Sequence, residues 1–257
     1  MRNALMLAAL AAISFTPAGA VPSLAATAAV SQQAVWDELA GIVVTDEQMA
    51  RSSNAMLKAM VDGLAADEEM AELETAYPGL LRAFSDALKP MMVQEAQRIV
   101  PLYRSDLAAL YKANLSASEA AEIGVFLRSP QMTRFISTVA ERNAMGATAR
   151  DAMASREISA ESLSADIGSA AIDASLQVDG ADMKFIKDFF ATPLGKRMSA
   201  LNAQKIQIDA RWSNYISPEA EAEVGPLVIE AMAQHIAKTD PEVAAEVRKT
   251  KLDTSAN

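Results

Sequence analysis

The chain has one histidine, His235, and no cysteine. A zinc site built from a single imidazole and no thiolate would need carboxylates for every other ligand. The H-E-x-x-H spacing that puts two imidazoles on one helix face is missing. Glu230 precedes His235 by five residues, about 500° of helical rotation, so the two do not share a face. A Ser-His-acid triad would have to use His235, yet neither a G-x-S-x-G elbow nor an S-x-x-K pair presents a serine. Carboxylates are plentiful, so paired-acid chemistry has a supply of residues. The densest run, DEEMAELE at 67–74, lacks the alternating oxygen ligands and central glycine of a calcium loop. It reads as a solvated acidic helix face. No G-x-G-x-x-G or G-x-x-x-x-G-K-[ST] offers a phosphate cradle. The sequence therefore predicts no catalytic residue, no metal and no cofactor.

Fourteen methionines are many for this length. Met packs adaptably and recurs on promiscuous binding surfaces. Met56 and Met60 at i, i+4, and Met91-Met92 beside Pro90, either line such a groove or fill a core poor in aromatics. Phe189-Phe190, Trp212 and Tyr215 carry the same two readings. Asn114-Leu115-Ser116 has the pattern of a glycosylation sequon.

The elements that would position these residues begin after residue 20. MRNALMLAALAAISFTPAGA has a basic end, a short apolar run and a small-residue finish, the layout of a secretory signal peptide. The apolar run is short for a bilayer. Without cysteine there is neither a lipoprotein anchor nor a disulfide, so stability must come from a core. The 237 residues left after cleavage suffice to bury roughly 70% of the unfolded surface. No later segment offers eighteen consecutive apolar residues, so no transmembrane segment is expected after cleavage. The net charge is −10, and loss of Arg2 takes it to −11. Such a surface repels nucleic acid and anionic lipid at long range. A periplasmic or secreted, soluble protein is the expectation.

The rest of the chain is rich in alanine and lacks alternating β-branched runs, which predicts an all-α helical bundle with no sheet. Residues 21–30 read as a disordered leader and 251–257 as a fraying tail. An N-terminal helical region covers 31–113. Ser31 caps a first helix through about Ile42, and Thr45 or Asp46 caps a second through about Leu64. Tyr77-Pro78-Gly79 is a break. A long helical stretch over 80–113 contains Pro90 and Pro101, each expected to kink or interrupt it.

A second helical region, 114–250, contains two related stretches. Residues 115–138 align without a gap on 178–201, a shift of sixty-three. Ser116 and Asp179 are matched N-caps, with Glu119 and Asp182 three residues on, so one capping box and one near-equivalent are predicted. Ser129-Pro130 and Thr192-Pro193 each put a hydroxyl at the N-cap and proline at the first helical position. Each unit thus reads as a short helix, a tight corner and a longer helix. Leu194, Met198, Leu201, Ile208, Trp212 and Tyr215 form a heptad seam that only Lys205 interrupts. A linking helix is predicted at 160–176. Ser217-Pro218 starts another to about Ala237, and Asp240-Pro241 a last short one. Arg134 and Arg197 lie one turn into the second helix of each unit. They are expected to reach back to the partner-less carbonyls that end the preceding helix, near residues 125–129 and 188–192.

The corner resembles that of the secreted bacterial domain of unknown function 2059 family. Residues 189–197 match its pattern at Phe189, Phe190, Thr192, Pro193, Gly195 and Arg197. Residues 126–134 match at Phe126, Ser129, Pro130 and Arg134, and depart at Leu127 and Met132. The resemblance covers roughly residues 100–215. It implies an extracytoplasmic helical domain and carries no activity, cofactor or substrate. The functional expectation is a non-catalytic binding module of the bacterial envelope, holding a protein, peptide or lipid partner. An envelope hydrolase using paired carboxylates is the alternative.

Overall fold

The computed structural model describes residues 32–155 and 157–249. The predicted signal peptide, the leader, the Ser31 cap and the tail lie outside the described residues. Among the described residues every regular element is a helix, and no strand occurs. The N-terminal half supplies α1 (Gln32–Val43), α2 (Asp46–Ala65), α3 (Glu68–Ala76) and α4 (Leu80–Asn114). The remainder supplies α5 (Ala117–Leu127), α6 (Pro130–Arg142), α7 (Gly146–Ser155), α8 (Ala160–Ser175), α9 (Gly180–Ala191), α10 (Pro193–Asn214), α11 (Pro218–Ile236) and α12 (Pro241–Lys249).

Helix starts follow local chemistry. Thr45 caps α2 in a capping box with Gln48, and Ser116 does the same for α5 with Glu119. Ser217 caps α11 ahead of Pro218, its hydroxyl accepting from the Ala220 amide. Each such cap satisfies amides that the first turn leaves orphaned. Helix α4 starts differently. Gly79 stands at its N-cap with φ 92°, a left-handed conformation that a Cβ would strain. Glu74 provides the missing acceptors, 2.7 Å from the Gly79 amide and 2.9 Å from that of Leu81. One carboxylate of the acidic run is thus a cap for the next helix and not merely a solvated charge.

Helix α4 runs on through Pro90 and Pro101, so of the two expected outcomes, a kink or an interruption, neither proline interrupts it. An internal proline costs about 3 kcal/mol or more through its lost hydrogen bond and its clash. Packing offsets this, because α4 lies against α1, α2, α10 and α11 and buries Leu88, Met91, Ile99, Tyr103 and Leu107.

Helix α7 is not signalled locally. Its first amides, on Ala147 and Thr148, donate to Asp166 of α8 at 3.0 and 2.8 Å. The cap comes from nineteen residues away, which no local pattern reveals.

The main core joins Trp36 and Leu39 of α1 and Leu107 of α4 to Ile123 of α5, Ile186 of α9 and Leu201 of α10. It crosses the boundary drawn at 113/114, so the two helical regions share one core. The methionines resolve toward core filling. Met56 and Met60 pack with Met145 and Ile158, while Met91 and Met92 pack with Phe84 and Leu88.

Candidate functional site

Both predicted corners are present. Ser129 and Thr192 are N-caps in extended backbone, each followed by proline at the first helical position. The Ser129 hydroxyl accepts from the Met132 amide at 3.3 Å, and that of Thr192 from the Gly195 amide at 3.0 Å. The second corner is the tighter. A Cβ on Gly195 would fall 2.2 Å from the Phe189 carbonyl oxygen and 2.6 Å from the Phe190 Cα. Only glycine lets α10 start this close to the end of α9. The first corner carries Met132 at the matching position, buried in the core.

The two units pack on each other through a reciprocal set of contacts. Phe126 and Phe189 stack with ring centroids 3.6 Å apart and planes 7° apart. Phe190 meets both rings edge-on. Arg134 of the first unit forms a two-pronged pair with Asp182 of the second, Nε to Oδ2 at 2.7 Å and Nη2 to Oδ1 at 2.8 Å. Arg197 of the second unit donates to Glu119 of the first. The shift of sixty-three that aligns the sequences also converts one ion pair into the other and Phe126 into Phe189. A two-fold-like interface has this property, since residue i meets j while the equivalent of i meets the equivalent of j.

These contacts correct two expectations. The arginines do not turn back to the carbonyls ending their own preceding helices; their acceptors are carboxylates in the first turn of the other unit's short helix. Nor does Asp182 complete a capping box. Asp179 caps α9 through the Ala181 amide at 2.6 Å, leaving Asp182 for Arg134. Its hydrogen bonds from Arg134 hold the Asp182 carboxyl below its ordinary range. Glu119 is likewise held low, first by the Ser116 amide and hydroxyl and then by Arg197.

Beside this interface lies a cavity of about 430 Å³, walled by α1, α4, α5, α6, α8, α9 and α10. Leu39, Tyr111, Ile123, Phe135, Ile167 and Phe190 make its lining mostly apolar. Its polar part is centred on α10. Lys205, which interrupts the heptad seam, lines the cavity with Asp209, and its Nζ donates to Asp209 Oδ2 at 2.6 Å. The Lys205 side chain is 14% exposed and that of Asp209 2%. The Tyr103 hydroxyl, buried on α4, donates to Asp209 Oδ1. Burial first, and then the Asp209 charge, push the Tyr103 and Tyr111 hydroxyls well above the ordinary tyrosine range, so both stay protonated. Ser164 of α8 and Asn202 of α10 add a hydroxyl and an amide to the wall.

Lys205 and Asp209 were not singled out as site residues by sequence reasoning, although a signal existed. A lysine at a core position of a heptad, with an acid four residues on, needs a partner if it is buried. Tyr215, placed on the seam, is instead the C-cap of α10 and is exposed. His235 sits apart from the cavity, its Nε2 3.0 Å from the Pro78 carbonyl oxygen at the α3–α4 turn. Among the described residues no cluster of three or more acids and histidines is placed to hold a metal ion. Among them, too, no helix is long and apolar enough to cross a membrane.

A comparison with protein-family models, with curated proteins and with solved structures finds no match to this chain, so its function is argued from the geometry.

Proposed function

We propose that this protein is an exported, non-catalytic binding module that holds an apolar small molecule of the bacterial envelope inside its helical bundle. The observation that carries the reading is the cavity of about 430 Å³. It falls within the range of roughly 300–1,000 Å³ typical of ligand sites, and its mostly apolar wall with a few convergent polar groups fits that class. The paired corners give it a rigid frame. On this reading the two units are copies of one ancestral helix-corner-helix, of the secreted kind that residues 189–197 resemble. Export rests on the signal-like residues 1–20.

The hydrolase alternative draws no support from this cavity. A glycosidase-like mechanism wants two carboxyl groups about 5–10 Å apart across the substrate. Among the described residues Asp209 is the one carboxylate in the wall, and each of its oxygens already accepts a hydrogen bond.

Gly168 gives a direct test. It lines the cavity, and a Cβ there meets nothing within 4 Å. Gly168→Leu should therefore fill the space, preserve the fold and abolish binding of an uncharged, environment-sensitive apolar dye such as N-phenyl-1-naphthylamine. Equal dye binding by a well-folded Gly168→Leu protein would refute the reading.

A further inference from the structure

We infer that the cavity is selective for a single-chain amphiphile with a carboxylate head, a free fatty acid in chemical class, seated with its head at Lys205. The inference rests on the binding-module reading and adds the ligand's chemistry. Three observations carry it. The first is asymmetry of the wall, apolar along α1, α5, α6 and α9 and polar chiefly on α10, with Ser164 of α8 adding a hydroxyl. A ligand matched to it has one apolar body and one polar end.

The second is the hydrogen-bonding balance at that place. An ammonium has three donors and no acceptor. The one hydrogen bond of Lys205 goes to Asp209, at 2.6 Å. Two donors remain on a side chain that is largely covered. Asn202, one turn earlier on the same helix, and Ser164 of α8 line the cavity as well; both are exposed, and each offers an acceptor beside its donor. Asp209 is already served by Lys205 and Tyr103. Lys205 is therefore the covered group with donors to spare, which a carboxylate can meet and a protonated amine cannot. A carboxylate on an ammonium is also the stronger, charge-assisted type of bond. The Lys205–Asp209 pair is neutral as a unit, so a second acid in Lys205's reach leaves one net negative charge, shared among several donors. With a net charge of −10 the protein does not steer an anion inward from a distance. Affinity must come from tail burial and selectivity from the head.

The third is size. The volume of about 430 Å³ equals roughly fourteen water-sized units at about 30 Å³ each, and a methylene is of similar bulk. Chains of about ten to fourteen carbons are the ones that fit.

The test compares dodecanoic acid, dodecanol and dodecylamine by calorimetry on the full exported chain, stripped of co-purifying lipid. Dodecanoic acid should bind about tenfold or more tightly than dodecanol, as a charge-assisted hydrogen bond predicts. Lys205→Gln, which retains a donor for Asp209, should abolish that preference. Equal binding of acid and alcohol, or tighter binding of the amine, would overturn the head assignment while leaving the binding module in place. Failure of all three to bind would overturn both. If Lys205→Gln does not fold, the comparison of the three probes on the unaltered protein still decides.

Discussion

Gly195→Ala should be among the most damaging conservative changes in this protein. Helices otherwise favour alanine over glycine by about 1 kcal/mol. At this corner the added Cβ would lie 2.2 Å from the Phe189 carbonyl oxygen and 2.8 Å from the Phe189 carbonyl carbon. Ordinary contact begins near 3.4 Å. The start of α10 must therefore move away from the end of α9 by about 1 Å, a shift a packed interior resists. Overpacking of this kind costs about 1–3 kcal/mol. The same movement stretches the 3.0 Å cap between the Thr192 hydroxyl and the Gly195 amide, worth about 1 kcal/mol. The helix-propensity gain offsets part of this, leaving a loss of about 1–3 kcal/mol. At about 2–4 °C per kcal/mol for a chain of this size, the melting temperature should fall by about 2–12 °C. Thermal unfolding followed by far-UV circular dichroism reads this directly. Gly41→Ala is the matched control, because its Cβ meets nothing within 4 Å in the interior of α1. It should raise stability by about 0.5–1 kcal/mol. If Gly195→Ala melts where the parent does, or shifts in the same direction as Gly41→Ala, the close approach at the corner is not real.

Arg134→Met and Asp182→Asn should each lower the urea midpoint, and the double change should cost clearly less than their sum; strict additivity would remove the pair as an inter-unit clamp. Tyr103→Phe should destabilise the fold by about 1–3 kcal/mol by depriving the buried Asp209 carboxylate of a donor, measured by urea unfolding. Stability should also be acid-sensitive. The carboxyls of Glu119, Asp151, Asp182 and Glu230 lie below their ordinary values in the folded protein, through bonds from Ser116, Ser159, Arg134 and Arg248 respectively. A depressed carboxyl stabilises the fold above its unfolded value and loses that contribution as pH falls through the folded one. The urea midpoint should therefore be level near neutrality and decline below about pH 4. A midpoint unchanged down to pH 2.5 would contradict the bonding described for these four groups.

Secondary structure was legible in the sequence wherever the controlling chemistry is local. Ser129-Pro130, Thr192-Pro193 and Ser217-Pro218 start helices because a cap hydroxyl and a fixed proline φ act within four residues of each other. The all-α class follows from the same local terms. Where a helix depends on a distant group, the sequence was silent or misleading. Helix α7 is capped by Asp166 from another helix, and α4 continues past two prolines because neighbouring helices pack against it. Glu74 lay hidden in an acidic run, since its role as a cap needs the chain to turn at Gly79 first.

The sequence by itself determined the helical class, the two corners and the choice of Phe126, Phe189, Arg134 and Arg197 as residues of interest. Tertiary structure decided what those residues do. An arginine's partner is set by which carboxylate lies within reach after folding, and the pairing of the two units put Asp182 and Glu119 there ahead of each helix's own carbonyls. The cavity was decided the same way. Lys205 shows in the sequence as a break in a heptad, but whether such a break becomes a solvated gap or a buried polar site depends on what α1, α6 and α8 bring opposite. Periodicity fixes which face of a helix turns inward. The volume left between seven helices depends on how all of them pack at once, and no local pattern contains it.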